Sequence, residues 1–381
     1  MAVMEASGRQ IIAFIFASIA CSSCRGSELN TVRGGATGER YNTIRRIYGK
    51  HNADVRANVH ELEISSEYAR TGVRADPNFK VPYQNHPMEK RKRQRRTLKE
   101  ENPSLSEDEI STVLRKLDEG DEEDSNFKKM RIVFETSALE SLIDQAGNDA
   151  DEVARKVAFI NDEILPRTGD FWSEALKVVP VKGNLVMQQG ELSNKKYCGD
   201  SEFTQVPESH LSEGVENADL ILYVSGTPST RFCGPTTLAV AVACNFDQYD
   251  RPTAGAINFC LDQVEVDNNG YAPPAIVDDN VDVAIHEAAH VLGMSSNSYR
   301  FFWDSETGEP RTNRQKGFQI ETVECVDGVE RAMYMPDTNT LDFFTAENGQ
   351  RYASIVTPKV RTVARNQFNC DSVEGGQLEV R

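Results

Sequence analysis

Side chains capable of soft-ligand or redox chemistry are scarce in this chain: 381 residues hold six histidines, eight cysteines and two tryptophans. Any metal or nucleophilic site must therefore be built from very few positions. Positive charge is also in deficit, with 42 Lys and Arg against 59 Asp and Glu and a formal net charge of -17. Such a surface does not neutralise phosphates, so no nucleic-acid partner is expected. Long apolar runs are missing too. The most continuous one, Ile11 to Ala20, is half of the ~20 residues a membrane-crossing helix needs, and no transmembrane span is predicted.

Preceded by Arg9 and followed by small and polar residues, that short run has the form of a secretory leader, residues 1–24, cleaved between Ala20 and Gly26. The chain is thereby expected in the secretory pathway, extracellular or at the cell surface. Cys198, Cys233, Cys244, Cys260, Cys325 and Cys370 then remain, an even set that predicts disulfides without choosing the pairing. Cys233, Cys244 and Cys260 are expected as disulfide partners rather than metal ligands, because thiolate zinc sites use tighter pairs. N-glycosylation is not predicted, since Pro103 disqualifies the triplet Asn102-Pro103-Ser104.

A hydrophobic content of 39% suffices for a sizeable core and excludes collagen, coiled coil and wholesale disorder. Residues 25–125 differ in texture from the rest, being charge-dense and free of cysteine after Arg25. They read as a pro-segment and linker whose processing site is the basic run 90–96, with Arg93-Gln94-Arg95-Arg96 as the convertase-like motif. Ser104 and Glu107 form a predicted capping box for a helix through Leu114 and Leu117, and the acidic stretch Asp118 to Asp124 reads as a linker. Globular sequence begins near Phe127. Strands are predicted at Arg131–Thr136, Asp219–Val224 and Ala254–Phe259, and helices at Asp149–Ile164 and Phe171–Val178. His210 is expected to be solvated, and Trp172 and Trp303 to serve packing.

One motif carries chemistry. Asp278 and Asp279 open a predicted helix with Val281, Ile285, Ala288, Ala289 and Leu292 at helical spacing, stopped by Gly293. Inside it lies His286-Glu287-Ala288-Ala289-His290. Side chains at i and i+4 share a face, so His286 and His290 can bind one Zn²⁺ while Glu287 reaches the reacting water as general base. The metal would polarise a scissile carbonyl, and Glu287 would pass a proton to the leaving amine. Zinc needs a third protein ligand. In the short His-Glu-x-x-His-x-x-Gly-x-x-His spacing Gly293 is present, but the last position is Ser296.

The stretch from His286 through Gly293 and Tyr299 to Asp304 resembles the leishmanolysin family of zinc endopeptidases, as do Phe171 to Asn184, Asp219 to Val224, Arg251 to Asn258 and Ile355 to Cys370. The resemblance covers about residues 130–381. It implies an α+β, metzincin-like catalytic domain with a mixed sheet and an active-site helix, divided into residues 126–293 and a partial C-terminal subdomain, 294–381. Protein or peptide substrates are implied, with Ala254 to Phe259 near the edge strand that would pair with them. It also implies a third zinc histidine after a long insertion, yet no histidine follows His290. The chain accordingly reads as stopping before that ligand, with weak zinc retention and little peptidase activity. A silent surface-binding or cell-adhesion protein on the same scaffold stays open, as does a glutamate third ligand such as Glu321 or Glu324. No cysteine lies near His51 and His60, so latency is expected from steric blocking by residues 27–96 rather than from a thiol on the metal. Oligomeric state stays open.

Overall fold

The structure is a computed structural model and describes residues 74, 76–118, 126–229, 231–234, 237–295, 298–314, 318–324, 330–346, 349 and 351–378. The expected leader, the region of His51 and His60, and most of the acidic linker lie outside the described residues.

At its centre is a four-stranded mixed sheet built from β1 (Ile132–Glu135), β2 (Leu220–Ser225), β3 (Ala239–Phe246) and β4 (Pro252–Phe259), in the order β1-β2-β4-β3. The first three neighbours run parallel and β3 is antiparallel to β4. β2 is a continuous apolar run because both its faces are covered. Leu220, Leu222 and Val224 join one buried cluster, while Ile221 and Tyr223 join another on the opposite face. β4 divides its residues the same way, with Ile257 and Phe259 on the first face and Ala254 and Ala256 on the second. Residues 254–259, expected near an edge strand, lie in interior strand β4, and its neighbour β3 is an edge of the sheet. Its alternation Ala239-Val240-Ala241-Val242-Ala243 is a strand signal that sequence reading passed over.

Helices α1 (Pro87–Glu101), α2 (Glu107–Asp118) and α3 (Ser137–Gln145) precede α4 (Ala150–Phe159) and α5 (Leu165–Ala175). Between α4 and α5 a π-turn, Ile160–Ile164, replaces the predicted break. Pro166 has no N–H to give the preceding turn, and the wider turn lets the helix pass it. The predicted helix 171–178 ends early, at Ala175; Lys177 and Val178 instead pair with Lys129 and Lys128. The capping box of α2 is also displaced by two residues. Ser106 and Glu109 exchange it, with the Ser106 N–H on Glu109 at 2.8 Å and the Glu109 N–H on Ser106 Oγ at 3.3 Å.

Helix α6 (Pro274–Val291) crosses the helical face of the sheet. Further on, β5 (Gln319–Glu324) pairs with β6 (Glu330–Met335), and β7 (Leu341–Thr345) pairs with β8 (Arg351–Ile355), which is followed by α7 (Pro358–Phe368). A small separate core of Tyr299, Phe302, Leu341 and Ile355 ties the segment after α6 to this region. Two disulfides, Cys198–Cys244 and Cys233–Cys260, fasten both ends of the β3–β4 pair, which agrees with the disulfide expectation for those cysteines.

Candidate metal centre

Helix α6 starts at Pro274, four residues before the predicted acidic turn, because proline fits the first helical position and its fixed φ favours the helix. Its small residues Ala284 and Ala288 are fully buried. Close approach is set on the sheet side by Gly255, where an added Cβ would stand 2.3 Å from Val291 Cγ1 and 2.8 Å from the Val242 carbonyl. From the other side the buried Trp172 indole donates to the Ile285 carbonyl at 3.2 Å, one residue before His286.

The helix ends in a Schellman motif. Gly293, at φ 110°, donates to the His290 carbonyl at 3.2 Å, and the Met294 N–H returns to the Ala289 carbonyl at 2.9 Å. This reversal turns the Met294 carbonyl back onto the His290 ring, 2.7 Å from Nδ1. A carbonyl can only accept, so Nδ1 of His290 carries the proton and its Nε2 presents a lone pair. That Nε2 lies 3.0 Å from the Nε2 of His286.

Glu287 completes the cluster: the three side chains each bring a ligand atom within 4.8 Å of the others, and Glu287 itself is 8% exposed. Among the described residues this is the group of His, Cys, Asp and Glu with metal-holding spacing. The donors suit a zinc ion. Nitrogens on tetrahedral zinc at ~2.0–2.1 Å stand roughly 3.3 Å apart, close to the observed separation, and a backbone carbonyl on the far nitrogen is the usual support for a ligating imidazole.

The predicted trio is thus brought together. Glu321 and Glu324 fall on β5, and their side chains lie outside the described residues. His210 is not solvated as expected: it sits in the short helical turn Glu208–Ser212, 2.9 Å from the hydroxyl of fully buried Tyr223, and burial lowers its pKa. Trp303 packs as expected and also donates to Asp250 at 2.6 Å. Sequence reading missed the supporting roles of Met294, Trp172 and Gly255. Gly293 was the available signal for the first, since a glycine stop brings the following carbonyl back toward the last turn.

A mixed sheet backed by a helix bearing His-Glu-x-x-His is the arrangement of a metallopeptidase catalytic domain. The family profile described as leishmanolysin matches residues 148–381, more than half of the chain, and the chain belongs to that family. It is 32% identical over 267 residues to the leishmanolysin-like peptidase of Caenorhabditis elegans, a match covering 58% of this chain and 38% of that protein. The leishmanolysin-like peptidase of Drosophila melanogaster is 28% identical over 271 residues, covering 59% and 38%. For the leishmanolysin of Leishmania major the figures are 28% over 193 residues, covering 49% and 27%. The match spans well under half the length of each of these relatives.

Proposed function

We propose that this chain carries the zinc-binding and proton-transfer part of a metalloendopeptidase site acting on extended polypeptides in the secretory pathway or outside the cell. The observation that supports it is the pair of convergent Nε2 atoms, 3.0 Å apart, with His290 held in the ligating tautomer by Met294. His286 and His290 would hold the ion. Bound zinc would supply Lewis acidity toward the scissile carbonyl and make water acidic enough to react near neutral pH. Glu287, in the same cluster, takes the proton of the attacking water and returns it to the departing amine.

Substrate would lie along β3, whose outer edge is free of strand partners among the described residues. Near its C-terminal end that edge is closed by the 187–191 segment, where Asn245 Nδ2 donates to the Gln188 carbonyl at 3.1 Å. The first half of β3 therefore offers main-chain groups to a peptide, a mode that tolerates many sequences. Three protein ligands complete a catalytic zinc, and the described residues supply two, so tight binding requires a donor from outside them.

Zinc titration against a chromophoric chelator tests the reading. One weakly held zinc per chain is expected, lost in His286→Ala and in His290→Ala. Glu287→Gln should keep the metal and slow any peptide cleavage by about 10²-fold or more. Zinc uptake indifferent to both histidine variants would overturn it and leave a silent binding scaffold.

A further inference from the structure

The family match begins at residue 148, yet the described fold reaches back to residue 76 and includes the basic run 90–96. That run is no extended loop. It forms much of α1, and three of its side chains, Arg91, Lys92 and Arg95, are engaged on the body of the protein. His86 caps the helix, its Nδ1 accepting from the Met88 N–H at 3.2 Å, and its ring stacks on Tyr249 with centroids 4.1 Å apart. The Tyr249 hydroxyl donates to Glu89 at 2.7 Å. Lys92 Nζ lies 4.7 Å from the Trp303 ring centroid and 5.3 Å from that of Tyr249. Arg91 is buried, donates to the Leu114 carbonyl at 3.0 Å and lies against Gly308. Arg95 pairs with Glu107 and reaches the Thr307 carbonyl at 3.4 Å.

Upstream of α1 the chain is knitted in as firmly. The Val81 N–H and carbonyl both bond the Gln248 side chain, at 2.9 and 3.0 Å, and its side chain joins the core cluster on the second face of the sheet. Tyr83 donates to Asp247 at 2.7 Å and accepts from Arg251 at 2.7 Å. One segment thus holds two places far apart in sequence: the turn between β3 and β4, and residues 303–309, which follow the histidine helix in the chain.

We propose that residues 76–118 are a permanent clamp of the catalytic unit, fixing the segment that follows α6 against the β3–β4 turn, and that they stay with the fold rather than being shed at Arg96. Proteases read their substrates as extended chain. Cutting Arg93-Gln94-Arg95-Arg96 in the folded protein therefore requires unwinding α1 and giving up the Arg91, Lys92 and Arg95 contacts together.

The test is to treat the folded full chain with a furin-type convertase and compare it with a peptide of residues 87–101. The folded chain should be cut about 100-fold more slowly or worse, because cleavage must wait for local opening. Whatever is cut should elute as one species in gel filtration, its pieces separating only in denaturant. Cleavage at the peptide's rate, with the N-terminal piece eluting alone and the remainder keeping its melting temperature, would overturn the proposal. A second variant guards against ambiguity. Arg93→Ala/Arg96→Ala removes the recognition motif at two exposed side chains, and should leave the length of the secreted chain and its melting temperature unchanged. A longer secreted product would count against the clamp. None of these readouts depends on zinc, so the outcome is separable from that of the catalytic reading.

Discussion

Replacing Gly255 by alanine should lift the histidine helix away from the sheet. A Cβ there would meet Val291 Cγ1 at 2.3 Å, Cγ2 at 2.7 Å and the Val242 carbonyl at 2.8 Å. Carbon atoms pack comfortably at ~3.5–4.0 Å, so the overlap with Val291 Cγ1 exceeds about 1 Å, while the Val242 carbonyl oxygen blocks retreat on the other side. Val291 cannot turn aside: it is fully buried, and a β-branched residue in a helix has one strongly favoured rotamer. The Val242 carbonyl belongs to the neighbouring strand and moves only with it. Overpacking of this kind costs roughly 1–3 kcal/mol. Alanine would recover about 0.5–1 kcal/mol of chain entropy relative to glycine, leaving a net loss centred on about 1 kcal/mol and reaching about 2 kcal/mol if neither neighbour yields. Urea unfolding should show this as a lower midpoint at unchanged slope. Pairing the change with Val291→Ala, which removes the obstructing methyls, should give a double variant at least ~1 kcal/mol more stable than the sum of the single losses. A Gly255→Ala protein within about 0.5 kcal/mol of wild type, or strictly additive losses, would refute the idea that this glycine sets the height of the metal helix.

Two further perturbations separate support of the site from stability of the whole. Gly293→Ala forces a side chain onto a backbone at φ 110° and should cost about 1–3 kcal/mol. By displacing the Met294 carbonyl from His290 it should also weaken zinc affinity by about 10–100-fold, read by chelator competition; unchanged affinity would mean the carbonyl does not orient the imidazole. Glu191 is buried beneath Arg74 and Phe246, and burial pushes its carboxyl up from 4.5 to about 7. A carboxyl raised in the folded state binds its proton more tightly there than in the unfolded chain. Its contribution is therefore full below pH 4.5 and is lost as pH rises to about 7. Across that window wild type should lose up to about 3 kcal/mol relative to Glu191→Gln, measured as the difference between their urea unfolding curves. A difference flat with pH would show that Glu191 ionises normally.

The chemistry-bearing part of the molecule was legible because it is local. Two imidazoles one helical turn apart, with a glycine three residues on, need only helical geometry to converge, and the structure has them 3.0 Å apart. The interior strands were legible for the same reason, since Leu220 to Val224 can only be a strand covered on both faces. What escaped depends on partners distant in sequence. Nothing near residue 92 shows that its ammonium faces Trp303. β3 was passed over because its alanines and valines are too modest to announce a strand until β4 lies beside them. The run from Ala150 to Ala175 was broken at the wrong place because a π-turn leaves no simple sequence signature around Pro166.

The proposed metal centre requires that His286 and His290 ligate one ion through their Nε2 atoms. The direct measurement is the ¹⁵N spectrum of the histidine side chains during a zinc titration of the 381-residue chain. Two imidazoles should change together, each losing its free Nε2 signal, and His290 should keep its proton on Nδ1 throughout. Both assignments should vanish in the respective alanine variants. Zinc that leaves the two Nε2 resonances untouched, or that engages His290 through Nδ1, would contradict the metal centre described above.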